Sequence, residues 1–96
     1  MTSRFSVHAS PHYDRLARRL LRQHPEFDAI EDRAREILSM DPCNRTRLHS
    51  IRKLEGVSPG EGQWRLSFGR FRFRYDIYSR DVVLQRCSLR REDTYR

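Results

Sequence analysis

The chain has 96 residues, and its 20 Lys and Arg against 13 Asp and Glu give a net charge of +7. That length allows one domain, and the 36% of hydrophobic residues excludes a fully disordered chain. No apolar run reaches the ~18 residues of a membrane span, and no signal-peptide pattern opens the chain. We therefore expect a single domain over residues 1–96 that is soluble and cytoplasmic.

Few residues other than Lys and Arg are candidates for metal binding or nucleophilic catalysis. Cys43 and Cys87 are too few for a disulfide scaffold, and no Cys or His spacing suits zinc. Ser88 and Cys87 have no histidine near them in the sequence, which argues against nucleophilic catalysis. Glu92 and Asp93 are adjacent and would point apart in an extended tail. We expect neither a metal nor a cofactor.

The first half of the chain predicts a strand and two helices. Alternation over residues 4–9 is typical of a half-buried strand, and Ser10-Pro11 is a helix start. An apolar helical stripe over residues 13–21 ends at His24-Pro25. A second stripe over residues 27–38 ends at Asp41-Pro42. Two adjoining amphipathic helices indicate a helical hairpin.

The second half predicts a meander. The apolar spacing between Arg47 and Leu54 favours a helical turn, and residues 55–62 hold three of the four glycines and form a loop. A period of two then indicates antiparallel strands over residues 64–68, 71–77 and 82–88. The order β-α-α-β-β-β predicts an α+β fold of two layers. In it, the N-terminal strand and the helical hairpin pack on one face of a small antiparallel sheet.

The same alternation separates apolar from basic side chains. One face of the central hairpin collects Trp64, Leu66, Phe68, Phe71, Phe73 and Tyr75, and we expect the helices to cover it. The opposite face receives Arg65, Arg72 and Arg74. Between positions 63 and 91 there are eight arginines against two acidic residues. Such a face favours a polyanion, although arginines also simply solvate exposed sheet faces. On the first helix, the segment 15–22 is basic enough to contact an acidic partner.

Four short motifs together resemble the RelE/ParE superfamily of toxins. They are Lys-Leu-Glu-Gly at 53–56, Gly-x-x-Arg-x-x-Tyr at 69–75, the apolar strand that follows, and a closing Arg-Arg-x-x-x-Tyr-Arg at 90–96. The resemblance covers nearly the whole chain, and the β-α-α-β-β-β order is also that family's architecture. The chain departs from the family pattern in three ways. It has arginine where lysine is common, no histidine beside the terminal tyrosine, and no helix after the motif.

The resemblance implies a toxin of a type II toxin–antitoxin system. Its partners would be a cognate antitoxin protein, mRNA and the ribosomal A site, with operator DNA contacted only through the toxin–antitoxin complex. The RelE branch cleaves mRNA in the A site, whereas the ParE branch inhibits DNA gyrase without nuclease chemistry. We favour the RelE branch and keep gyrase inhibition and a plain RNA-binding module as alternatives.

Carried over by position, the catalytic candidates are Arg65, Arg72, Arg91 and Tyr95. The RNA-binding candidates are Lys53, Arg74, Arg86 and Arg90. RNA is cut without metal when its own 2′-hydroxyl attacks the neighbouring phosphate, and arginines can stabilise the charge that develops there. We expect Arg72 and Arg91 to form that clamp and Arg65 to steer the backbone.

The group that transfers the proton is left open by the sequence. Arginine is a poor candidate because its pKa exceeds ~12. Neighbouring guanidinium groups would lower the pKa of Tyr95 and favour proton transfer, but a tyrosine also stacks on a base or packs on a sheet edge. His49 is a second candidate for the base, since imidazole titrates near neutral pH.

Overall fold

The computed structural model of the protein describes residues 4–90, and these residues form an α+β fold. Strand β1 (Ser6–Ala9) is followed by helices α1 (Pro11–Gln23) and α2 (Phe27–Met40). Four strands follow within the described residues: β2 (Ile51–Lys53), β3 (Trp64–Phe68), β4 (Phe71–Tyr78) and β5 (Asp81–Leu89). The predicted fold class is confirmed. Arg91 and Tyr95 lie outside the described residues.

The sheet has five strands in the order β1-β5-β4-β3-β2. Strands β3, β4 and β5 are antiparallel neighbours, as the meander predicted, and β2 pairs antiparallel with β3 at the edge of the sheet. The N-terminal strand differs from the prediction, because it joins the sheet as an edge strand parallel to β5, with Val7 opposite Val82. The two helices provide the crossover that a parallel pair requires. The sheet is therefore mixed rather than wholly antiparallel.

The segment predicted as a helical turn, Arg47 to Leu54, instead contains the edge strand β2. Ile51 pairs with Leu66 of β3 and packs against the core. Arg47 has a positive φ of 61°, which a right-handed helix cannot accommodate, and Leu48 is 78% exposed. The helical spacing of Leu48, Ile51 and Leu54 was therefore misleading, because only Ile51 and Leu54 are partly buried.

The helices begin and end where their local chemistry dictates. The Ser10 hydroxyl accepts a hydrogen bond from the Tyr13 amide at 3.1 Å, and Pro11 occupies the first turn of α1. Helix α1 ends before His24-Pro25, and α2 ends before Asp41-Pro42. Within residues 4–90, neither helix is long and apolar enough to cross a lipid bilayer.

The helices cover one face of the sheet, as predicted from the alternation. Leu66, Phe71, Phe73 and Tyr75 are each at most 1% exposed. Phe27 of α2 packs edge-on against Phe71, with ring centroids 5.1 Å apart. Burying such aromatic side chains contributes about 1.5–3 kcal/mol each to stability. No helix among residues 4–90 covers the other face of the sheet, which carries the basic residues.

Candidate polyanion-binding site

The open face of the sheet carries a row of arginines that crosses four strands. Arg52 of β2 is paired with Arg65 of β3, Arg65 with Arg74 of β4, and Arg74 with Arg86 of β5. Neighbouring strands lie about 4.8 Å apart, so the backbones of these residues form a closely spaced line. Directly opposed like charges are unfavourable unless something neutralises or separates them.

A glycine-rich loop, residues 55–63, folds over one half of this row and is fixed by Asp76. The Asp76 carboxylate is 1% exposed and accepts hydrogen bonds from the amides of Gly60, Gly62 and Gln63 at 2.9–3.2 Å. It also accepts one from the Gln85 side chain at 3.1 Å. A buried carboxylate is stable only when it is hydrogen-bonded in this way, so Asp76 and the loop depend on each other.

The loop engages the two arginines nearest to it. Arg74 donates from Nε to the Gly62 carbonyl at 3.0 Å and from Nη2 to the Glu61 carbonyl at 2.9 Å. Arg86 lies 3.8 Å from the Glu61 carboxylate. The Arg74 guanidinium is therefore already hydrogen-bonded within the protein, and Arg86 already has an ion-pair partner.

The uncovered half of the face forms a cleft of about 370 Å³, which we call the arginine cleft. Within the part of the chain that the structure describes, no acidic residue lines it, and its lining residues are His49, Ser50, Ile51, Arg52, Arg65, Ser67, Arg72 and Arg90. Four arginines, two serines and one histidine therefore surround one space. This composition fits an anion with several oxygen acceptors, such as the phosphate of a nucleic acid.

The electrostatics of the cleft show that the arginines are crowded. The pKa of Arg65 is lowered by partial burial and, after that, by the charges of Arg72, Arg52, Arg74 and Arg90. The Arg72 Nε–H is buried and has no acceptor among residues 4–90. An unsatisfied buried donor costs about 1–3 kcal/mol. A bound anion would relieve both the repulsion and the missing hydrogen bond.

His49 enters the cleft because the chain before it is held in a fixed turn. Asn44 adopts a positive φ of 57°, and its side-chain oxygen accepts a hydrogen bond from the His49 amide at 3.1 Å. Its side-chain nitrogen donates to the His49 carbonyl at 2.8 Å. Two bonds to one backbone unit keep His49 at the mouth of the cleft, next to the start of β2.

The structure brings together some of the residues predicted from the sequence and separates others. Arg65, Arg72 and Arg90 meet in the arginine cleft, and the alternative base His49 meets them there. Lys53 does not, because it pairs with Trp64 and its ammonium lies 5.7 Å from that ring centroid, on the opposite face.

Sequence reasoning missed Arg52. Its register opposite Arg65 became visible only once β2 was recognised as a strand. The alternation of Ile51, Arg52 and Lys53 was the available signal, but three residues are too few for a period of two to stand out.

No family model, no curated protein and no solved structure matches this chain. The RelE/ParE resemblance thus stays a prediction, and the function is argued from the arginine cleft.

Proposed function

We propose that this protein is the toxin of a type II toxin–antitoxin system, of the RelE kind, acting in the cytoplasm as a ribosome-dependent mRNA endoribonuclease. The observation that carries the proposal is the arginine cleft, in which four arginines converge and no acidic residue among positions 4–90 lines the space. A face that only solvates the sheet would mix both signs of charge, as the surface of α2 does with Arg33 and Glu36.

The cleft suits the charge that develops during RNA cleavage. When the 2′-hydroxyl attacks, the phosphate becomes pentacoordinate and its oxygens gain negative charge. Arg65 and Arg72, on the two central strands of the open face, are placed to donate hydrogen bonds to those oxygens, and fixed donors of this kind stabilise a transition state strongly. Arg52 and Arg90 lie in the same cleft and would hold the flanking backbone.

The size of the cleft favours a short piece of RNA. A volume of about 370 Å³ is at the lower end of the range of roughly 300–1,000 Å³ that ligand sites occupy. It accepts a small stretch of backbone and leaves the rest of the substrate outside. A site of this size gains from a larger assembly that holds the mRNA in place, which agrees with action on the ribosome.

Proton transfer requires a group other than arginine. His49 lies in the cleft and Tyr95 is implied by the family resemblance, as is Arg91 for the phosphate clamp. An acidic segment of an antitoxin would silence the protein by covering the cleft. Because opposite charges speed association, the rate of that capture should fall as salt is raised.

The direct test is expression of the protein alone in bacteria, with growth and cellular RNA followed together. The expected result is growth arrest with mRNA cut inside translated regions, and no cutting when ribosomes are absent from a purified mixture. Growth arrest with intact mRNA and accumulating DNA breaks would replace the proposal with gyrase inhibition. RNA binding without any arrest would leave only an RNA-binding module.

A further inference from the structure

Helix α1 carries a second group of arginines, on the side that faces away from the core. Tyr13 and Leu20 are its buried residues. At 100° per residue, the opposite arc of roughly 100° holds only arginines between positions 15 and 22. We call this group the α1 stripe, and its members, all exposed, are Arg15, Arg18, Arg19 and Arg22.

The charges of the α1 stripe repel one another, and the one acidic residue of α1 is Asp14 in its first turn. Arg15 and Arg19 are separated by four positions, as are Arg18 and Arg22, and like charges at this spacing destabilise a helix. None of the four forms an ion pair with a described carboxylate. Helix α2 differs, because its arginines form ion pairs within the helix. The arginines of α1 are therefore available to an external anion.

On α2, Arg33, which is exposed, and Arg35, which is half-buried, each have a carboxylate of their own helix. Arg33 contacts Glu36 at 2.9 Å, and Arg35 lies 3.8 Å from Glu31. These two residues have the same charge and the same type of side chain as those of the α1 stripe. They therefore provide a matched control for any effect of total charge.

The α1 stripe and the arginine cleft lie on opposite faces of the sheet, but α1 adjoins the basic face, because its Leu16 lines a cavity of about 330 Å³ together with Arg72, Arg74 and Arg86. Helix α1 packs on the covered face of the sheet through Tyr13 and Leu20, and the stripe points away from that contact. The cleft lies on the open face of the same sheet. The stripe and the cleft are therefore distinct surfaces, and Arg72 belongs both to the cleft and to the cavity beside α1.

We propose that the α1 stripe binds the sugar–phosphate backbone of double-helical RNA, separately from the arginine cleft. A guanidinium group donates two parallel hydrogen bonds to phosphate oxygens, and a helix holds four of them on one rigid surface about 10 Å long. Duplex RNA is recognised largely through its backbone and shape, which requires no base-specific side chain.

The composition of the stripe favours RNA over an acidic protein. Protein interfaces have an apolar centre with charges at the rim. Between positions 15 and 22, the arc of the stripe contains arginine alone. The exposed apolar residue of α1, Leu21 at 41%, falls outside that arc. A surface of cations without an apolar centre fits a row of phosphates. Bound in this way to a structured RNA, the protein keeps its cleft free for a second RNA segment.

The test measures equilibrium binding of a labelled, blunt-ended RNA duplex of about 16 base pairs at several salt concentrations. The variant Arg15→Gln/Arg19→Gln is compared with Arg33→Gln/Arg35→Gln, which removes the same charge from α2. The stripe variant should bind at least about tenfold more weakly, with a salt slope smaller by about two. The α2 variant should stay close to wild type.

Equal losses in the two variants would mean that only net charge matters, and would overturn the inference. Tighter binding of polyglutamate than of the duplex, lost in the stripe variant, would assign the surface to an acidic protein instead. The variant Arg65→Gln/Arg72→Gln separates the two proposals. Duplex binding that depends on the cleft and not on the stripe refutes the inference alone. Stripe-dependent binding without mRNA cleavage refutes the proposed function alone.

Discussion

Arg65 and Arg74 are directly opposed on neighbouring strands, yet their guanidinium groups have different surroundings. Arg74 is bonded to two loop carbonyls, whereas Arg65 lines the arginine cleft among other cations. The loop that Asp76 fixes creates this difference, because it covers one half of the open face. The candidate site is therefore the uncovered half of the face, and the covered half supports it.

The variants Arg65→Gln and Arg72→Gln should each lower the rate of mRNA cleavage on programmed ribosomes by about 10²–10³, the usual cost of one fixed transition-state donor. Neither should unfold the protein, since both side chains lie among like charges rather than in ion pairs. Single-turnover cleavage and thermal unfolding measure the two effects. Arg33→Gln on α2 is the control, and a comparable rate loss in that variant would contradict the assignment.

How much of this arrangement the sequence predicts depends on the range of the interactions. Ser10-Pro11 and the alternation from Trp64 onwards are local signals, and they correctly predicted α1 and the central hairpin. The pairing of Val7 with Val82 joins residues 75 positions apart, and no local pattern encodes it. Asp76 gave no signal either, because its partners Gly60 and Gly62 are recognisable only in the folded loop.

Gly62→Ala should destabilise the protein more than Gly60→Ala. Both glycines have positive φ values, 89° and 95°, which cost an L-residue about 1–2 kcal/mol. A Cβ at Gly62 would lie 2.8 Å from the Arg74 Cβ, whereas a Cβ at Gly60 meets open space. Overpacking adds about 1–3 kcal/mol. Urea unfolding of the two variants measures the difference, and equal losses would show that Arg74 moves away without cost.

The free energy of unfolding should fall below about pH 4, in part through Asp41. Burial alone would raise its pKa, but hydrogen bonds from the Thr46 hydroxyl and amide and the Arg45 amide outweigh burial and lower it. A carboxyl with a lowered folded-state pKa stabilises the fold above its unfolded pKa and loses that effect as the pH falls.

Asp41→Asn should therefore make the free energy of unfolding depend less on pH in the acid range. Urea unfolding from about pH 2.5 to about pH 7 measures this, because carboxyl groups titrate within that range. Asp28→Asn, on the exposed first turn of α2, is the control. An unchanged acid profile in the Asp41 variant would show that other carboxyls dominate.

His49 and Tyr95 compete for the role of proton-transfer group, and their variants distinguish them. Removal of a general acid or base lowers a rate by about 10²–10⁴. We expect Tyr95→Phe, which removes only the hydroxyl, to show that loss in single-turnover mRNA cleavage. A stacking tyrosine would instead tolerate phenylalanine and fail as alanine, because the ring face is what a base contacts.

His49→Gln gives the complementary result. If Tyr95→Phe cleaves at a near wild-type rate, His49→Gln should show the 10²–10⁴-fold loss, since His49 lines the cleft with Arg65 and Arg72. His12→Gln, exposed on α1, is the matched control and should cleave normally. Full activity in both Tyr95→Phe and His49→Gln would show that neither side chain transfers the proton. Catalysis by the protein would then rest on the arginines alone.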